Sequence, residues 1–398
     1  MREIGIALLG LGNVGLGTYR ILESHAKDIE HRLGARIQVR QMLVRDNKKA
    51  RPDYLPGARE TLAAGALPDG EAYYAYLIRQ YTTREDLTAQ QIHQIGLDEV
   101  ARIHGEMNAI RERVGFEGDL QAFFANVRTA EWNFFPDNDE GAQAYIDASK
   151  AAIANIEGQL PNYFGLLPKA ALEVRRVEAF REQDGGAQHY REGTPDGSRP
   201  GIYYAHLSDM TAYPKNMLEV VAYHEGLPGH HMQISIAQEL TGVPTFRTQY
   251  GYGAYIEGWG LYAEKLAKEM PATYADPYSD FGRLSSELWR AIRLVVDTGL
   301  HSKGWTEAEA IAYFTANSPQ PAETIRSEVR RYIVMPGQAT SYKVGMIRIQ
   351  QLRAEAERAL GDDFDIRAFH DAVLGGGALP LSLLERRVRD WIAASKAG

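Results

Sequence analysis

The sequence predicts a mostly α-helical protein with a short edge sheet, preceded by a truncated Rossmann-type β-α-β fragment. Three observations carry that expectation. A glycine turn, Gly10-Leu11-Gly12-Asn13-Val14-Gly15, directly follows a short apolar run. Apolar residues recur at helical spacing through most of the remaining chain, and one β-branched and aromatic run at residues 199–206 interrupts that pattern.

Taken in order, residues 4–9 read as a strand, residues 19–32 as a helix and residues 37–44 as a second strand. In such a turn the first Gly permits the bend, the second lets backbone approach a pyrophosphate, and the third lets helix pack on strand. A dinucleotide site is built across two halves of a parallel sheet, and the first half alone has three strands. Only two precede the helical body, so no functional NAD(P) binding is expected, although Arg45, Lys48 and Lys49 could attract a phosphate weakly. Residues 54–57 and 67–70 read as turns. Between residues 71 and 160, Ile92, Ile95, Val100, Ile103, Met107 and Ile110 line one helical face. Residues 199–206, launched by Pro200-Gly201, read as an edge strand. Further helices are expected from near Met217, over 251–270, 281–301 and 306–316, and from Glu323 onward. The expected domains are residues 1–53 and 54–398.

With 38 Gly and 17 Pro among 398 residues, 44% hydrophobic and 24% charged, the composition is that of a soluble globular protein. No Cys is present, which excludes disulfides, Cys-ligated zinc, iron–sulfur clusters and a thiol nucleophile. Any metal site must use His, Asp and Glu. The net charge of −8 is unevenly spread: residues 1–53 carry ten Lys/Arg against six Asp/Glu, and the remainder 34 against 46. An acidic body argues against nucleic acid as a partner. No apolar run approaches the ~20 residues of a membrane span, and residues 4–9 lack a basic flank and a cleavage site. The expected location is cytoplasmic, with no membrane partner, and nothing in the sequence indicates an oligomeric state.

The strongest local signal is Tyr223-His224-Glu225-Gly226-Leu227-Pro228-Gly229-His230-His231, holding three of the eleven His. Metallopeptidases with an HExxH helix place two His on one face to hold zinc, with the Glu as general base. Here the fourth position after His224 is Pro228. On a straight helix His224 and His230 would lie about 9 Å apart along the axis, too far for one ion. Pro228 forbids a straight helix, and Gly229 can absorb a bend that brings the two His together. His230 is favoured over His231 as ligand because it follows Gly229. Tyr255-Ile256-Glu257-Gly258-Trp259-Gly260-Leu261-Tyr262-Ala263-Glu264 supplies a third ligand in Glu257, with Glu264 two turns on, either supporting a ligand or solvated. Arg290-Ala291-Ile292-Arg293 leads to Asp297 and His301, four apart on one face. Arg331-Tyr332 and Tyr342-Lys343 bring phenols and cations near a turn. Tyr342 or His301 is the candidate donor to an oxyanion.

From residue 54 onward the chain resembles a bacterial family known as domain of unknown function 885. The resemblance rests on Tyr81-Thr82-Thr83, Ile92-His93-Gln94-Ile95-Gly96, Gly197-Ser198-Arg199-Pro200-Gly201, the stretches from His224 to His231 and Glu257 to Glu264, Arg293-Leu294-Val295-Val296-Asp297-Thr298-Gly299, Met335-Pro336-Gly337-Gln338-Ala339, and Tyr342-Lys343. It implies a mostly helical, zincin-like metallohydrolase, distantly similar to the angiotensin-converting-enzyme and oligopeptidase group, acting on peptides. Members of the family usually carry a further N-terminal helical region, and many are exported lipoproteins. Residues 1–53 instead resemble the start of homoserine dehydrogenase, through the glycine turn and Leu43-Val44-Arg45-Asp46, up to Pro52. The chain is therefore expected to join two gene fragments. The leading expectation is a zinc-dependent peptidase with His224, His230 and Glu257 on the metal and Glu225 as base. An NAD(P)-dependent dehydrogenase of the homoserine dehydrogenase type and a catalytically silent fusion remnant are the alternatives.

Overall fold

Strands β1 (Arg2–Leu9) and β2 (Ala35–Leu43) pair in parallel, and a parallel pair needs a crossover, supplied by helices α1 (Asn13–Ser24) and α2 (Ala26–Leu33). The computed structural model describes residues 2–9, 13–43, 63–182 and 186–397. Gly10 and Gly12 of the glycine turn, Arg45, Lys48, Lys49 and the turn at 54–57 lie outside the described residues. The single helix expected over 19–32 is two helices, starting earlier and parting at His25, whose ψ of 15° leaves the helical range. Gly34, at φ 62°, ends the second in a left-handed cap.

Beyond residue 63 the chain is mostly helical, as its periodicity predicts. Helices α3 (Gly70–Thr82), α4 (Ala89–Arg113), α5 (Leu120–Thr129) and α6 (Asp139–Glu157) precede a three-stranded sheet of β3 (Leu172–Arg176), β4 (His189–Arg191) and β5 (Gly201–Ala205). Then follow α7 (Leu218–Glu225), α8 (His230–Glu239), α9 (Phe246–Gln249), α10 (Gly253–Ala267), α11 (Pro277–Ser302), α12 (Glu307–Asn317), α13 (Ala322–Val334), α14 (Ser341–Leu360), α15 (Ile366–Leu374) and α16 (Leu381–Lys396). Local chemistry sets many of the starts. Thr88 and Thr306 form capping boxes with Gln91 and Glu309, and Asp276 caps α11 ahead of Pro277 at its first position.

The strand expected at 199–206 is not an edge. β5 is central, parallel to β3 and antiparallel to β4, with all five of its residues buried. A strand covered on both faces carries an unbroken apolar run rather than an alternating one, and Ile202-Tyr203-Tyr204-Ala205 has that form. The edges are β3 and the short, polar β4.

Two apolar clusters organise the body. One joins α4, α5, α11, α12 and α13 through residues such as Ile103, Met107, Phe123, Phe281, Ile292 and Phe314. The other gathers α6, the sheet, α7, α8, α10, α14, α15 and α16. Helix α11 is buried along most of its length and packs against α4 and α7, while α7 packs against α10. That arrangement sets α7, α10 and α11 side by side around the polar cluster described next.

Candidate metal centre

Helix α7 ends at Glu225 and α8 starts at His230, so the segment 226–229 breaks what would otherwise be one helix. The break contains a cis peptide between Leu227 and Pro228. The corner is tight: a Cβ on Gly229 would stand 1.9 Å from the carbonyl oxygen of His224. Trp259 on α10 fastens it by donating from Nε1 to the Pro228 carbonyl at 2.9 Å. With the helix broken here, the imidazoles of His224 and His230 lie 4.5 Å apart, centroid to centroid, and nearly perpendicular.

Glu257, one turn into α10, faces both rings. Its Oε2 is 3.8 Å from His224 Nε2 and 3.7 Å from His230 Nε2, and one ligand atom from each of the three residues lies within 4.8 Å of the others. Glu264, two turns further along α10, accepts a 2.7 Å hydrogen bond at Oε1 from His224 Nδ1. With Nδ1 engaged by Glu264, Nε2 is the atom turned toward Glu257 and His230. Gly260 lies between these two Glu and lets the ring in; a Cβ there would sit 2.7 Å from His224 Cε1.

The groups of this cluster perturb one another. Burial disfavours a charged His224, but the flanking carboxylates Glu257 and Glu264, with Glu225 behind them, push it up to about 10. Burial and the neighbouring His224 pull His230 down to about 4. Burial raises Glu257, yet the two imidazoles bring it down to about 2. Glu225 stands outside the three-residue group. Burial pushes it up to about 7, His224 opposing and Glu257 reinforcing, and the backbone N–H of Tyr190 on β4 hydrogen-bonds to it. Two imidazoles and a carboxylate, with nitrogen and oxygen donors converging, form a set that could hold a metal ion.

The other sequence candidates lie elsewhere. His231 is turned from the group, Nε2 meeting the Ala170 carbonyl at 3.1 Å and Nδ1 the Tyr190 hydroxyl at 3.1 Å. His301 accepts from the Ala64 N–H at Nδ1 and donates from Nε2 to the Tyr332 carbonyl, which engages both nitrogens. Asp297, expected to orient it, instead accepts from the Tyr74 hydroxyl at 2.5 Å and from the Gly337 N–H at 3.0 Å. Tyr342 lies under the Arg293 guanidinium, 4.5 Å from its carbon, and its oxygen accepts from Arg331 at 3.2 Å. Sequence reasoning passed over Tyr190, for which a three-residue strand gives no pattern, and left Arg290 without a role. Arg290 lies on α11, which packs on α7, and its charge contributes at Glu225, His230 and Glu257.

A family model described as a bacterial protein of unknown function, DUF885, matches residues 21–388. The chain belongs to the DUF885 family. Among solved structures, a Colwellia psychrerythraea protein named "putative lipoprotein" is 40% identical, with a TM-score of 0.81 over 85% of this chain and 58% of its own. A Shewanella oneidensis protein named "putative lipoprotein of unknown function" shares the fold at 22% identity, with a TM-score of 0.70 over 83% of this chain and 60% of its own. This DUF885 chain thus spans somewhat under two thirds of both. It is also 38% identical to homoserine dehydrogenase of Bacillus subtilis (strain 168) over 56 residues, 14% of this chain and 13% of that enzyme. Among the described residues no helix is long and apolar enough to cross a membrane.

Proposed function

We propose that this protein is a zinc-dependent hydrolase of peptide bonds in small peptides, with a zincin-like centre. The observation that carries this reading is the convergence of His224, His230 and Glu257, with Glu264 holding the His224 proton on Nδ1 and Glu225 beside the group but outside it. His224 Nε2, His230 Nε2 and Glu257 would hold the ion. When bound, zinc supplies Lewis acidity, lowering the pKa of water and polarising a carbonyl. Glu225 takes the proton of the attacking water and delivers it to the leaving amine as the C–N bond breaks, giving a carboxylate and an amine. A carboxyl held near neutrality by burial is suited to both transfers. Tyr342, whose oxygen already accepts from Arg331, retains its own proton to donate to the developing oxyanion. His301 has no nitrogen left for that task.

Elemental analysis and peptide cleavage test the reading together. Protein expressed with zinc should carry one ion per chain and His224→Ala none. Glu225→Gln should keep the ion while cleavage falls at least ~100-fold. Absence of zinc from the wild type overturns the metal site. Zinc lost in Glu225→Gln makes that residue a ligand, and unchanged cleavage removes it as base. Bound zinc with no cleavage by the wild type would mark a catalytically silent member.

A further inference from the structure

His231, His301 and His370 are buried, and each engages both ring nitrogens with a hydroxyl or a backbone group. His230 departs from them. Its Nε2 lies 3.7 Å from the Glu257 carboxylate, but its Nδ1 is buried without a hydrogen-bond partner, and among the described residues no other imidazole nitrogen is. His224 shows what is missing, since its Nδ1 meets Glu264 at 2.7 Å. A neutral ring that offers Nε2 to a metal ion carries its proton on Nδ1, and that N–H almost always has an acceptor, which fixes the tautomer and the ring orientation.

An acceptor stands one turn away. Gln233 follows His230 by three positions on α8 and is 2% exposed. Residues three apart share a helix face, with Cβ atoms about 5–6 Å apart. Long side chains on a helix lie back over the preceding turn, which carries the Gln233 carboxamide toward His230 rather than away from it. Its Oε1 is itself buried and without a hydrogen-bond partner. A buried donor and a buried acceptor, both unmatched, thus share one face at the start of α8, and each is costly alone. The other unmatched acceptor beside the pair, Oε2 of Glu264, belongs to the carboxylate that already backs His224. Resting on the zinc-centre reading above, we propose that Gln233 is the positioning residue of His230: its amide oxygen accepts the Nδ1 proton once the ring is a ligand, as Glu264 does for His224. Gln233 has three side-chain torsions with which to bring its oxygen to Nδ1. One imidazole is then backed by a carboxylate and the other by a neutral amide, so that His230 is held in place without a further negative charge.

Chelator competition for zinc and denaturant unfolding of the metal-free protein test this together. Gln233→Met keeps length and bulk and leaves only a weakly accepting thioether. Its zinc affinity should fall about 10- to 100-fold, the range for losing such a support. The unfolding midpoint of the metal-free variant should stay level or rise, because the acceptor it removes has no partner in that state. Gln233→Glu restores an acceptor and should bind zinc at least as tightly as the wild type. Gln233→Asn, whose amide is one methylene shorter, should repeat the loss of affinity, and it stands in for Gln233→Met if that variant does not fold. Wild-type affinity in Gln233→Met or Gln233→Asn overturns the inference. So does weakened zinc binding accompanied by a lowered midpoint in the metal-free state, or a Gln233→Glu protein that binds no better than Gln233→Met, since either assigns the residue to packing. Wild type that takes up no zinc defeats the metal-centre reading and this inference with it, whereas zinc-binding wild type with no effect at Gln233 defeats the inference alone.

Discussion

At the α7–α8 corner the imidazoles of His224 and His230 keep their Nε2 atoms turned toward Glu257, whereas on α11 His301 commits both nitrogens to backbone groups of Ala64 and Tyr332. Both regions are buried, and both are rich in titratable side chains. The difference lies in what the helix does. Along α11 the chain runs unbroken for 26 residues, and Asp297 and Arg293 find partners on packed neighbours: Asp297 with Tyr74 and Gly337, Arg293 with Tyr332 and Glu328. At residues 226–229 the helix breaks, and ring nitrogens six residues apart converge on the Glu257 carboxylate. Burial of an imidazole therefore says little about its role; the state of its second nitrogen says more.

The comparison breaks if His301 matters to the metal. His301→Ala would strand a buried N–H at Ala64 and a buried carbonyl at Tyr332, each costing about 1–3 kcal/mol. Denaturant unfolding should show a loss of about 2–6 kcal/mol, with zinc content unchanged. A variant of undiminished stability that has lost zinc or peptide cleavage would place His301 with His224 and undo the distinction.

A pH measurement sharpens it through another satisfied histidine. His370 is fully buried, its Nδ1 donating to the Tyr163 carbonyl at 2.7 Å and its Nε2 accepting from the Tyr262 hydroxyl at 2.8 Å. Burial pulls it down from 6.5 to about 3. The unfolded chain then binds a proton that the folded one refuses, so the contribution is fully present above pH ~6.5 and is lost as pH falls toward 3, amounting to on the order of 5 kcal/mol at most. The slope of stability against pH between 6 and 4 should flatten in His370→Gln. An unchanged slope would mean that other groups, the carboxylates included, govern acid unfolding.

Much of this was legible in the sequence because it was local. The face from Ile92 to Ile110, the Thr88 and Thr306 caps and the Pro277 start are properties of a few consecutive residues. The His224–Glu225–His230 grouping could be read because Pro228 ruled out a straight helix and Gly229 permitted a corner, and Glu257 stood out because Gly258 and Trp259 crowd it. What the sequence hid was long-range. Nothing local distinguishes a central strand of five residues from an edge one when its partners are a strand 29 positions upstream and a three-residue β4. His301 and Asp297 share a helix face, which suggested a dyad, but Tyr74 and Gly337 reach Asp297 across more than 200 and 40 positions respectively and claim it first.

The smallest expected effect concerns Glu264, where the two kinds of region meet, because it is a buried, hydrogen-bonded carboxylate whose partner is a candidate ligand. Its Oε1 accepts from His224 Nδ1, and its charge helps to draw positive charge to that ring. In Glu264→Gln the side-chain oxygen can still accept the same hydrogen bond, so the tautomer and ring position should persist while the charge is removed. A ligand imidazole backed by a carboxylate is more basic than one backed by an amide, and such supports typically contribute 10- to 100-fold in metal affinity. Chelator competition should therefore show zinc binding weakened by about 10-fold, the low end, because the geometry is kept. Glu264→Ala, which also frees the ring to turn, should approach the upper end. Equal affinities in wild type and both variants would show that Glu264 is a packing contact of the α11 type, and that the corner holds its ligands without it.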